Sequence, residues 1–235
     1  MKYKRIMLKL SGEALGESGW LFDHAQIQQV ARVIKQVVDL GTQVGIVIGG
    51  GNLWRGRRGA AQGMDAVRAD QMGMLGTLMN CLVMQDALSQ LGQKAQMFSA
   101  LHVPDICANY RRDLADEALT RDGAALFGGG LGNPFFTTDT AVSLRALELG
   151  AQALLLAKNV DGVYTADPKL DSAATLIKDI SYAEAIKRGL KVMDMSAFLM
   201  CQEQGLPQVR VFGLDKAENI LRVLRGEDLG TTLHP

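Results

Sequence analysis

Apolar positions along the chain follow two alternating patterns. Short, nearly unbroken apolar runs occupy residues 4–10, 43–48, 94–98, 124–127, 153–157 and 208–212, each bounded by polar or glycine residues. Runs of this length predict strands covered on both faces. Between them, apolar residues recur three and four positions apart, as in Ile27, Val30, Ala31, Ile34, Val37 and Val38. That spacing predicts helices beginning near Asp23 and over 65–91, 114–121, 140–149, 182–188, 195–204 and 217–225. Asp23 suits an N-cap, and Gly41 and Gly150 suit helix ends. Strand and helix alternate throughout without a repeat or linker. The expectation is one α/β domain over residues 1–235 with a mainly parallel central sheet.

The helix over 65–91 is rich in methionine. Met72, Met74, Met79 and Met84 stand beside Leu75, Leu78, Leu82 and Val83. Helical spacing favours packing, against the sheet or another subunit, over a metal surface.

Composition narrows the classes of function. Lysine plus arginine number 25 and aspartate plus glutamate 25 among 235 residues, so no global positive field marks a nucleic-acid partner. An anionic ligand has to be captured locally. The first residues enter a strand without the apolar stretch of a secretory signal, and no apolar run reaches membrane-spanning length. Cys81, Cys107 and Cys201 match neither a disulfide framework nor a zinc site, and the expected compartment is a reducing cytoplasm. His24, His102 and His234 are scattered, without metal-ligand spacing, and read as surface or structural histidines.

In an open parallel sheet, ligands sit beyond the carboxyl ends of the strands, and four strand ends here are unusual. Lys9-Leu10-Ser11-Gly12-Glu13 puts a cation before a serine and a glycine able to present backbone N–H groups to phosphate; an exposed lysine and an ordinary turn explain it equally well. Gly49-Gly50-Gly51-Asn52-Leu53-Trp54-Arg55-Gly56 combines close backbone approach with a guanidinium donor, beyond what a flexible loop requires. In Gly128-Gly129-Gly130-Leu131-Gly132-Asn133-Pro134-Phe135-Phe136-Thr137-Thr138-Asp139, the N–H groups, two threonines and a helix N-terminus suit a phosphate monoester. Thr138 or Asp139 also suits an N-cap. The stretch from Lys158-Asn159 through Tyr164 to Asp167-Pro168 suits a base and ribose, or a structured turn. No glycine precedes a lysine and no glycine cluster has GxGxxG spacing, which removes the Walker A and dinucleotide readings.

Together, LKLSGEAL, VIGGGNLWRG, GNPFFTTD, VDGVYTADP and KVMD resemble the signatures of the amino-acid-kinase superfamily, and within it those of the bacterial uridylate kinases. The resemblance spans essentially the whole chain. It implies a three-layer α/β/α sandwich, with the acceptor over residues 1–155 and ATP over residues 156–235. It implies transfer of the γ-phosphoryl of ATP to UMP, Mg²⁺ carried on the ATP phosphates, and no metal cage on the protein. Lys9, Leu10, Ser11, Gly12, Gly51 and Arg55 would line the ATP phosphates, with Tyr164 and Asp167 toward the adenosine and Lys158 and Asn159 among the ATP-binding residues. Gly50, Asp70, Leu131, Gly132, Asn133, Pro134, Phe135, Phe136, Thr137 and Thr138 would hold UMP, Asp70 accepting from its sugar hydroxyls.

Lys9, Arg55, Asp139 and Asp194 are the implied catalytic set, Asp139 orienting the lysine and Asp194 joining the same polar network. Leu131 replaces a common threonine, so its contact is through the backbone, and Lys158-Asn159 replace a common Thr-Lys. The resemblance further implies a homohexamer, GTP activation associated with the loop at 16–21, and UTP inhibition. Two other readings remain: a same-fold kinase for a carboxylate or carbamate acceptor, and a nucleotide-binding sensor or storage protein without turnover.

Overall fold

A computed structural model describes residues 2–16, 21–56, 59, 63–168, 170–190 and 192–235. In chain order the strands are β1 (Arg5–Leu10), β2 (Gln43–Ile48), β3 (Gln96–Ser99), β4 (Ala108–Asn109), β5 (Ala124–Gly128), β6 (Ala153–Lys158), β7 (Val163–Tyr164), β8 (Leu176–Ile177), β9 (Asp179–Ser181), β10 (Val209–Gly213) and β11 (Thr231–His234). The helices are α1 (His24–Asp39), α2 (Ala66–Gln90), α3 (Arg112–Asp122), α4 (Thr138–Glu148), α5 (Tyr182–Lys187), α6 (Met195–Glu203) and α7 (Asn219–Leu224). Among the described residues, a nine-stranded sheet runs β4-β3-β5-β2-β1-β6-β10-β11-β9, and β7 pairs with β8 separately. Within the large sheet only β10 and β11 pair antiparallel.

The period of two along β1 separates two cores. Ile6, Leu8 and Leu10 face a core shared with Val30 and Ile34 of α1, Leu78 and Met84 of α2, and Ile220 and Leu224 of α7. Met7 faces the opposite core, built with Ala115 and Leu119 of α3, Val142 and Ala146 of α4, Tyr182 of α5 and Phe198 of α6. The result is the expected three-layer α/β/α sandwich. Strands covered on both faces need no polar row, which is why every residue of β5 is buried.

Local chemistry sets most boundaries. The Asp23 carboxylate accepts from the Gln26 N–H at 2.9 Å to start α1, and Asp65 does the same for α2 from Arg68 at 3.1 Å. Gly41, at φ 86°, follows the end of α1. α3 and α4 begin two residues earlier than periodicity predicts, and β3 two residues later. The N-cap of α4 is Thr137, whose hydroxyl accepts from the Asp139 N–H at 3.1 Å, so neither Thr138 nor Asp139 has that role. β4, β7, β8, β9 and β11 have only two to four residues each and carry too little periodicity to announce themselves. β11 is held instead by buried Thr231, which accepts from the Val163 N–H at 2.8 Å and donates to the Ile177 carbonyl at 2.5 Å.

The methionine-rich helix divides as its spacing suggests. Met74, Leu78 and Met84 are buried, whereas Met72, Leu75, Met79 and Leu82 form an exposed apolar stripe.

Gly123, which ends α3, has φ 76°, and a Cβ there would lie 2.5 Å from Val38 Cγ1. Gly123→Ala is expected to lower stability by about 1–2 kcal/mol, measured as a lower urea midpoint with an unchanged m-value.

Candidate active site

The four unusual strand ends belong to β1, β2, β5 and β6, which are neighbours in the order β5-β2-β1-β6. Because these strands are parallel, their carboxyl ends open on one edge of the sheet. The loops converge because α2 fastens them from behind. Asn80, fully buried, donates to the Gly49 carbonyl at 2.7 Å and to Asn52 Oδ1 at 2.8 Å. Thr77 accepts from the Gly129 N–H at 2.8 Å. A Cβ on Gly50 would lie 2.6 Å from the Gly73 carbonyl oxygen, so the glycine loop can rest on the α2 backbone only without a side chain.

Lys9 continues the row of Met7 and points to the α4 side of the sheet. Its Nζ lies 3.1 Å from Asp139 Oδ1, in the first turn of α4, with each side chain 15% exposed. That carboxylate oxygen is buried without a well-angled hydrogen bond, so its partner is the Lys9 charge. Lys158, at the end of β6, donates to the Val192 carbonyl. Burial pulls its pKa below the ordinary lysine value; Asp139 opposes that shift, Lys9 adds to it and Asp194 opposes it. Those four perturbations place two cations and two carboxylates in one partly dry cluster. Asp194 enters it indirectly: Oδ2 accepts from the Thr137 hydroxyl and from Thr140 at 2.8 Å, while Oδ1 caps α6 through the Ala197 N–H at 2.8 Å.

A cavity of about 190 Å³ opens beside this cluster. Of the residues expected to hold the acceptor, Gly50, Asp70, Leu131, Asn133, Phe136, Thr137 and Thr138 line it. Gly132, Pro134 and Phe135 belong to the same loop without lining the cavity. Asp70 Oδ2 accepts from the Phe135 N–H at 2.7 Å, tying that loop to α2; Phe135 itself is 72% exposed at φ 70°. On the other side of β6, Tyr164 and Asp167 line a cavity of about 480 Å³. Lys158, Asn159 and Tyr164 line an adjoining one of similar size. The Tyr164 hydroxyl donates to Asp161 at 2.8 Å, a hydrogen bond that raises its pKa above the ordinary value. Arg55 does not join the Lys9 cluster: it pairs with Glu13, which also accepts from Ser11. Of the loop at 16–21, residues 17–20 lie outside the described residues.

The amino acid kinase family model matches residues 4–213. The chain belongs to the amino acid kinase family. It is similar to a protein of Phocaeicola vulgatus named uridylate kinase, 47% identical over 234 residues and 99% of each chain. A protein of the same name from Bacteroides thetaiotaomicron matches to the same extent. A solved UMP kinase of Bacillus anthracis, 35% identical, superposes with a TM-score of 0.94 over 100% of this chain and 97% of that one. A uridylate kinase of Archaeoglobus fulgidus, 26% identical, superposes with a TM-score of 0.74 over 97% and 99% of the two chains.

This amino acid kinase also uses positions that strand-end reasoning missed. Trp54, Gly56, Gly73, Met74, Thr77 and Gly130 also line the smaller cavity, as does Gly51, which the resemblance set among the ATP phosphates. Gly73, Met74 and Thr77 stand three, four and seven residues beyond Asp70, one face of α2, and that spacing was available in the sequence. Gly213, which ends β10, and Leu214 and Asp215 beyond it line the cavity shared with Lys158, so the strand-end rule applied to a fifth strand would have found them.

Asp194→Ala removes the α6 cap and the acceptor of two threonines. It is expected to cost about 1–2 kcal/mol in chemical unfolding, and more than Thr140→Ala, because it removes the cap and the Thr137 acceptor as well as the Thr140 one.

Proposed function

We propose that this amino acid kinase is a nucleoside monophosphate kinase, transferring the γ-phosphoryl group of ATP to UMP to give UDP and ADP. The observation that carries the reading is the largely shielded Lys9–Asp139 pair, lying beside the cavity at Gly50, Asp70 and Thr138 and on the same sheet edge as the cavities at Lys158 and Tyr164. Full-length likeness to uridylate kinases supports UMP as the acceptor.

Phosphoryl transfer requires alignment and charge neutralisation more than covalent chemistry. Residues 1–155 then supply the acceptor side and residues 156–235 the donor side, with the acceptor phosphate near the N-terminus of α4. There the free N–H groups of the first turn and the helix dipole favour an anion. Lys9, held by Asp139, meets the transferring group, while Lys158 adds a second positive charge from β6. Asp70 accepts from the sugar hydroxyls in exchange for the Phe135 N–H. Asp194 keeps Thr137 and Thr140 in place at the start of α4. Arg55, Ser11, Gly12 and Gly51 serve the phosphates, and Tyr164 and Asp167 the adenosine. The acceptor is already a phosphate, so no strong general base is needed.

Asp139 is committed to Lys9, and Asp194 to two threonines and a helix cap, an arrangement that suits Mg²⁺ arriving on ATP. Carried there on ATP, the ion would supply neutralisation of phosphate charge. We assign the protein to the cytoplasm, in keeping with its free cysteines, and to a homohexamer, for which the exposed stripe on α2 offers an apolar surface. The resemblance at residues 16–21 supports GTP activation, and the resemblance of the whole chain supports UTP inhibition.

In a coupled assay of ADP release, UMP is expected to exceed acetylglutamate, aspartate and carbamate by at least about 100-fold in kcat/KM; equal or reversed rates would overturn the UMP assignment. CMP, dUMP, GTP and UTP in the same assay define selectivity and regulation. Lys9→Met is expected to lower kcat by about 10²–10³-fold while leaving UMP affinity, by calorimetry, within about threefold of wild type. Retained turnover would remove Lys9 from catalysis, whereas a wild type that binds UMP without turnover would favour a sensor or storage role.

A further inference from the structure

The phosphate-facing loops hold a carboxylate that the mechanism above leaves unused. Glu13 lies in the 3-10 turn Gly12–Leu15 that follows β1. Its two oxygens are taken by different loops: Oε2 accepts from the Ser11 hydroxyl and Oε1 from Arg55 Nη2. Arg55 is steered from a second side, its Nε donating to the Gly51 carbonyl at 3.3 Å. Oε1 is also the atom nearest to a Cβ built on Gly51, at 3.3 Å, so the carboxylate lies directly against the glycine loop.

Burial opposes ionisation of Glu13. The hydrogen bonds from Ser11 and from its own backbone N–H, together with the Arg55 charge, outweigh that cost and hold its pKa below the ordinary value. The carboxylate is therefore an anion at neutral pH. Its partners, a hydroxyl and a guanidinium beside a glycine backbone, are the donors that a phosphate oxygen seeks. The pair is only partly shielded, with side chains 34% exposed for Glu13 and 56% for Arg55, so their attraction is weak enough to be exchanged.

We propose that Glu13 is a positioning residue that competes with nucleotide phosphate for Arg55 and Ser11, pre-setting the guanidinium against the glycine loop and giving it up when phosphate binds. The inference rests on the reading that Arg55 and Ser11 serve nucleotide phosphates. A competitor of this kind weakens binding of every phosphate that Arg55 touches and leaves the nucleoside part untouched.

The test is a double-mutant cycle of Glu13→Gln and Arg55→Gln in the full-length protein. Calorimetric Kd values are measured for UMP, for uridine, and for ADP with Mg²⁺. Glutamine keeps the size of Glu13 and an acceptor for Ser11 while removing the charge. Glu13→Gln is expected to tighten at least one phosphate-bearing ligand by about two- to fivefold, the range of an exposed ion pair, with uridine unchanged. In the Arg55→Gln background the same change is expected to have less than half that effect. Weaker phosphate binding in Glu13→Gln overturns the proposal, because it marks Glu13 as a scaffold. Equal tightening in both backgrounds also overturns it, because it marks simple repulsion of phosphate without Arg55. If Arg55→Gln leaves both UMP and ADP affinities unchanged, the phosphate role of Arg55 falls and the competition falls with it. If Arg55→Gln weakens either nucleotide while Glu13→Gln has no effect, only the competition falls.

Discussion

A sheet covered by helices on both faces has no solvated side on which to place charge, and that constraint organises the molecule. Along β1 the residues alternate between two apolar cores until Lys9, whose ammonium emerges into the α4 side at 15% exposure. A cation so placed has to be paired, because an isolated buried charge costs several kcal/mol. Asp139 supplies the partner from the first turn of α4, which Thr137 caps and which packs against β1. The strand ends are where backbone N–H groups, glycines and charges can meet a ligand together, and parallel pairing of β5, β2, β1 and β6 gathers four such ends on one edge.

The second organiser is α2. One face carries Asp70, Gly73, Thr77 and Asn80 to the glycine loops, through backbone contact at Gly50 and hydrogen bonds at Gly49, Gly129 and Phe135. Asn80 is fully buried, and its amide is used twice as a donor, which makes the glycine loop a supported surface. The opposite face is the apolar stripe of Met72, Leu75, Met79 and Leu82. A helix that supports ligand loops on one side and exposes apolar side chains on the other gives the acceptor site and any assembly of subunits a shared element.

The balance of charge in the site is local. Around Lys9 the two lysines and two carboxylates nearly cancel, and burial lowers the pKa of Lys158 while Asp139 opposes the shift. Around Arg55 the carboxylate of Glu13 provides the same cancellation closer to solvent. The donors of both clusters are therefore already oriented by partners within the protein.

The sequence by itself determined the order of six strands and seven helices, the mainly parallel sheet and the helix cap at Asp23, and it singled out four strand-end loops. Each depends on residues close together in the chain: period-two or period-3.6 burial, a side chain capping its own helix, or glycines directly after a strand. The tertiary structure alone decided which of those residues meet. The Lys9–Asp139 pair spans 130 positions and exists because α4 packs across β1; Asp194 reaches Thr137 and Thr140 because α6 packs on α4. It also decided that Arg55 belongs with Glu13, and that Thr231 makes a strand of a segment too short to show a period. Such contacts depend on packing between elements distant in sequence, which local spacing does not encode.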